Sequence, residues 1–162
     1  MTPNDVLAAG YRMSAALFHR MVDDLTPTEF ERQPVPGANC AAWVVGHLTL
    51  TLRNSLRRMG VTDIPAFPEE IVGKLQTTRQ AAGEQCGYGE PRALLALFDV
   101  YIERFIALVR ALPADVLAGE SDIKVPLAAN RAEAIQFGAL HLAMHTGQLS
   151  TLRRSLGKPP VV

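Results

Sequence analysis

The strongest constraint on this chain is a spacing. Leu94, Phe98, Tyr101, Phe105, Leu108 and Leu112 follow one another at intervals of four, three, four, three and four residues. An α-helix puts such a series on one face, because its turn brings every third or fourth side chain back to the same side. Pro91 stands where a first helical turn tolerates it, and Pro113 stops the run. A helix of this length with one apolar stripe must bury the stripe against other elements. The rest of the chain offers three matching stripes.

The first follows Thr2-Pro3. Thr2 is a capping residue, Asp5 stands in an acidic first turn, and Leu7, Tyr11, Ser14, Phe18, Met21 and Leu25 keep the helical spacing until Thr26-Pro27. The second is expected from a cap at Asn39 to about Met59, with Trp43, Val44, His47, Leu48 and Leu52 on its inner face and Gly60 as its stop. The last opens at Asn130, where Glu133 suggests a capping box, and runs to about Leu156 before Gly157, Pro159 and Pro160. Its inner face holds Ala134, Gly138, His141, His145, Leu149, Leu152 and Leu156. Short helical pieces are expected at Pro27 to Arg32, Glu69 to Gln80 and Pro113 to Leu117. No β-branched run alternates between turns. The 162 residues suffice for one hydrophobic core. The expected fold is all-α: one domain over residues 1–162, a four-helix bundle with long crossover connections at 60–89 and 113–129.

Charge narrows the function classes. Sixteen Lys plus Arg balance sixteen Asp plus Glu, so no basic face is on offer for nucleic acid. The longest apolar stretch, near Ala41 to Leu52, is too short for a membrane span and contains His47. The first residues lack the basic and apolar regions of a secretory signal, and two cysteines, Cys40 and Cys86, build no disulfide framework. A cytoplasmic location is expected.

Three of the four histidines fall on inward faces. His141 and His145 are four apart, so both imidazoles lie on the same side of one helix, one turn apart. His47 sits on the inner face of another, and a bundle core can bring it to the pair. A lone His on an apolar face is ordinarily a packed core residue. Three together in an apolar place repel if protonated and lose hydration, and a divalent ion between them removes both problems. Three imidazoles also leave at least one coordination position open, as in a reactive site. His19 follows Phe18 and is expected at the bundle edge, outside this group. The chain has no His-Glu-x-x-His, no Glu-x-x-His, no Cys-x-x-Cys, no phosphate-binding glycine loop and no Gly-x-Ser-x-Gly elbow.

With these residues placed, the chain resembles the DinB-like family of four-helix-bundle metalloproteins over nearly its whole length. HLAMHTGQLSTLRRSLG, His141 to Gly157, is similar to that family's fourth-helix signature of His-x-x-x-His-x-Gly-Gln followed by Leu-Arg and a terminal Gly. NCAAWVVGHL, Asn39 to Leu48, resembles its Trp-x-x-x-His segment, and DLTPTEF, Asp24 to Phe30, its first connection. The resemblance implies a metal triad of His47, His141 and His145, a divalent ion such as Zn²⁺ or Ni²⁺, and a homodimer. It implies activities such as transfer of a low-molecular-weight thiol to an electrophile, or thiol-dependent isomerisation. The family name's origin in damage induction does not imply DNA repair.

The expected function is a metal-dependent thiol S-transferase acting on a small electrophilic molecule. A free thiol, with a pKa of about 8.5, holds little thiolate at neutral pH, and coordination to a divalent ion removes its proton. Metal-assisted hydrolysis is the alternative, weakened by the lack of an acidic residue near His141 and His145 to act as base. A non-catalytic dimeric metal-binding or stress-response protein is the other. Around the triad, Gln148 is expected to orient a ligand or water, or to face a neighbouring chain, and Trp43 to wall the pocket or simply fill the core. Cys40, at a helix start, reads as a buried inert thiol more readily than as a nucleophile. Arg153 and Arg154 suit either substrate carboxylates or the helix dipole.

Overall fold

Thr2 begins the first helix as its sequence invites. Its hydroxyl accepts from the Asp5 N–H at 3.2 Å while the Asp5 carboxylate accepts from the Thr2 N–H at 2.9 Å, a closed capping box with Pro3 in the first helical position. The same device recurs at Thr26, Pro27 and Glu29. The computed structural model describes residues 1–76, 87–125 and 127–161. Its helices are α1 (Pro3–Val22), α2 (Pro27–Phe30), α3 (Ala41–Arg58), α4 (Val72–Leu75), α5 (Pro91–Ala111), α6 (Ala114–Ala118) and α7 (Arg131–Ser155), with a 3-10 turn at Glu69–Ile71 before α4. Among the described residues there is no strand.

Helix α1 packs on α5 and α7, and α3 packs on α5 and less extensively on α7. The four long helices therefore close a ring in the order α1, α5, α3, α7, the four-helix bundle that the apolar stripes require. Phe18, Trp43, Phe98, Tyr101 and Phe105 fill its centre, each almost wholly buried. Phe18 meets Phe98 and Tyr11 meets Phe105 as tilted ring pairs with centroids 4.8 and 4.7 Å apart. The looser α3–α7 seam is where the histidines lie.

Several element ends differ from the sequence reading. Helix α1 stops at Val22 instead of reaching Leu25. Asp24 turns away to meet Arg153 and Lys158 beyond it, which ties the end of α1 to the end of α7. Helix α3 is capped by Cys40, not Asn39. The Cys40 thiol is fully buried and its Sγ accepts the Trp43 N–H at 3.5 Å, so the chain enters the core one residue later. At α7, Asn130 caps as expected by accepting from the Glu133 N–H at 2.9 Å, but the Glu133 carboxylate takes the Ala129 N–H, one residue outside the helix. The helix expected over Glu69 to Gln80 begins as the 3-10 turn and ends at Leu75. Residues 77–80 of that expectation lie outside the described residues. Gly60 and Gly157 close α3 and α7 with φ of 84° and 73°, a conformation that favours glycine. No helix among the described residues is long and apolar enough to cross a membrane.

Candidate metal centre

His47 lies midway along α3, and His141 and His145 lie on consecutive turns of α7, where that helix faces α3. The His47 Nε2 stands 3.4 Å from the His141 Nε2, and the His145 Nε2 stands 3.1 Å from it. One ligand atom from each residue lies within 4.8 Å of the other two. His145 is buried, at 7% exposure, and the other two are partly so.

The far side of two rings fixes which nitrogen carries the proton. The His47 Nδ1–H donates to the Leu75 carbonyl at 2.9 Å, since a carbonyl can only accept. The His145 Nδ1–H donates to the Gln148 Oε1 at 3.1 Å. Both Nε2 atoms then present lone pairs toward the Nε2 of His141. A single proton on His141 can serve only one of them. A cation serves all three, and the outer hydrogen bonds to Leu75 and Gln148 are the kind that hold metal-binding imidazoles in place. Four-coordinate ligation at a metal–nitrogen distance of about 2.05 Å sets neighbouring nitrogens roughly 3.3 Å apart. The observed 3.1 and 3.4 Å bracket that spacing. The donor set therefore fits a divalent ion, and this cluster can hold one.

Electrostatics favours the same state. Burial, reinforced by the charges of its neighbouring histidines, pushes His145 down to about 4, and burial with the nearby His47 does the same to His141. Burial also lowers His47, against the opposing hydrogen bond to Leu75. All three imidazoles are neutral at pH 7, the form that binds metal. Trp43, one turn before His47, stacks its indole on the His47 ring and sits 5.7 Å from His145. It is both core and wall of the site. Gln148 faces His145.

The remaining candidates lie elsewhere. His19 is at the bundle edge, its Nε2 2.6 Å from Asp99 on α5 and its Nδ1 3.1 Å from Asp23. Cys40 is spent on capping α3, and Cys86 lies outside the described residues. Arg153 is buried on Asp24 and on the Met21 carbonyl, while Arg154 is exposed. Neither is among the residues lining the cavity beside the histidines.

That cavity, of about 280 Å³, opens between α3, α7 and the segment at residues 123–125, with His47 and His141 in its wall. Sequence reasoning missed Tyr11, which reaches it from α1. Tyr11 was readable only as one member of an apolar stripe. The available signal was Gly138, a side-chain-free position in the inner face of α7 one turn before His141.

A sequence model of the DinB superfamily matches residues 11–149, a stretch that includes all three histidines. No curated protein compared with the chain matches it.

Proposed function

From the premise that this chain belongs to the DinB superfamily, we propose that it is a divalent-metal-dependent enzyme that transfers a low-molecular-weight thiol to an electrophilic small molecule. The observation that carries the reading is the convergence of three neutral imidazoles, two of which, His47 and His141, line a cavity with no carboxylate from the described residues. His47, His141 and His145 would hold the ion, Zn²⁺ or Ni²⁺ being the candidates. When bound, a divalent ion supplies the Lewis acidity that lowers a thiol's pKa from about 8.5 into the neutral range.

The chain's own groups divide the remaining work. Leu75 and Gln148 hold the Nδ1 protons of His47 and His145, which keeps the Nε2 lone pairs aimed inward. Trp43 closes the core side of the cluster against water. The cavity leaves the other side open to small molecules. Among the described residues the one thiol, Cys40, is buried and engaged, so a nucleophile has to be brought in. Hydrolysis is the weaker reading, because no Asp or Glu among the described residues lines the cavity to act as general base.

Elemental mass spectrometry on untagged protein tests the first half. About one equivalent of divalent metal is expected, lost in His47→Ala. Incubation with glutathione and 1-chloro-2,4-dinitrobenzene, as a first thiol and electrophile, tests the second. Turnover is expected to need thiol and metal together. A His141→Ala variant that kept both metal and thiol transfer would sink the proposal.

A further inference from the structure

The cavity beside the histidines is charged in one sense only. Arg58 and Lys124 line it, and no acidic residue among the described ones does. Lys124 is held by Glu120. Arg58 has no ion-pair partner among the described residues. It stands at the end of a stripe along α3, His47, Thr51, Ser55 and Arg58, all in the cavity wall. Eleven residues at about 1.5 Å each separate His47 from Arg58 along the helix, ~16 Å, and the arginine side chain leans back toward His47 and shortens that span.

Tyr11 supplies a second, independent sign of a ligand. The residue is 4% exposed, yet its hydroxyl has no hydrogen-bond partner among the described residues. It abuts Gly138, where an added Cβ would stand 1.9 Å from the Tyr11 Oη. Only a glycine there lets the phenol reach the cavity shared with His141. The hydroxyl is not sealed in the core, so it stands open to the cavity as a donor that a ligand acceptor can engage.

We propose that this cavity binds a substrate bearing a carboxylate, with Arg58 pairing the charge at the end away from the histidines and the Tyr11 hydroxyl donating to a substrate oxygen. The proposal rests on the reading of the cluster as the reaction centre, since it names the class of molecule delivered to it.

Calorimetry with two probes of equal length, 6-mercaptohexanoate and 6-mercapto-1-hexanol, tests it on zinc-free and zinc-loaded protein. The acid is expected to bind roughly tenfold tighter than the alcohol in both states, a charge-assisted hydrogen bond's worth. Arg58→Gln, a change at an exposed position, is expected to abolish the preference and leave the alcohol unchanged. Tyr11→Phe is expected to weaken both probes by roughly threefold to tenfold, because a phenol donates to either terminal oxygen. Equal affinities for acid and alcohol, a preference that survives Arg58→Gln, or no detectable binding of either probe overturns the carboxylate site. Zinc that leaves thiol affinity unchanged overturns the thiol reading instead, while the zinc-free preference still decides the carboxylate site.

Discussion

The indole of Trp43 lies parallel to the imidazole of His47, with ring planes 10° apart and centroids separated by 4.5 Å. Trp43 is the chain's one tryptophan. Its emission therefore reports on the electronic state of a single histidine in the cluster. Adding Zn²⁺ or Ni²⁺ to metal-free protein is expected to change that emission saturably, with Ni²⁺ quenching it. His141→Ala should shift the titration to much higher metal concentration. A flat titration in wild type that demonstrably binds metal would contradict the stacked geometry.

Gln148 is placed to act through His145, not on a substrate. Its Oε1 accepts the His145 Nδ1–H, which keeps the Nε2 lone pair pointing at the cluster. Losing such an outer partner typically costs 10–100-fold in metal affinity. Gln148→Leu is expected to weaken Zn²⁺ binding within that range, measured by competition with a chromogenic chelator. Gln148→Glu, which restores an acceptor, should recover affinity. A purely structural role would leave both variants equal in metal affinity and different only in stability.

The histidines also predict how the metal-free protein responds to acid. His141 and His145 titrate near 4 in the folded chain, below the ordinary 6.5 of an unfolded histidine. Between those values the unfolded state binds more protons, so stability falls as pH drops from 6.5 toward 4. His19 works in the opposite sense. Burial opposes its protonation, but its hydrogen bonds to Asp23 and Asp99 outweigh that and raise it above 6.5. Its contribution is complete below 6.5 and is lost as pH rises through its folded value. Urea midpoints of the metal-free protein are expected to peak near 6.5, and His19→Gln should flatten the decline on the alkaline side alone.

Most of this architecture was readable because the stripes of α1, α3, α5 and α7 are long and regular. His47, His141 and His145 were readable because one helical spacing and one inward position suffice to locate them. What was not readable depends on contacts made by irregular chain. The Leu75 carbonyl that orients His47 comes from the stretch after Gly60, where prolines and glycines erase periodicity. Its place is set by Gly46, where an added Cβ would meet the Leu75 side chain at 2.9 Å. Cys40 displaced Asn39 as a cap because burial, not intrinsic preference, decided where α3 begins. Arg153 reads as a helix-end cation, yet it is 5% exposed and binds α1, a tertiary relation that no local pattern encodes.

Gly138 and Tyr11 give a prediction that separates packing from binding. An alanine at 138 would place its Cβ 1.9 Å from the Tyr11 Oη and 3.1 Å from the Cζ, so α1 or the ring must move. Overpacking of this kind costs about 1–3 kcal/mol. The close contact is with the hydroxyl, so Tyr11→Phe removes the worst clash and leaves one that a few tenths of an ångström relieve. Gly138→Ala is therefore expected to destabilise wild type clearly and the Tyr11→Phe background much less, a coupling measured by urea denaturation of the four proteins in the cycle. Tyr11→Phe alone should be close to neutral, since the hydroxyl it removes opens onto the cavity and makes no hydrogen bond among the described residues. If Tyr11→Phe instead costs as much as Gly138→Ala, the hydroxyl is a structural group held by the protein, and it is not free to meet a ligand.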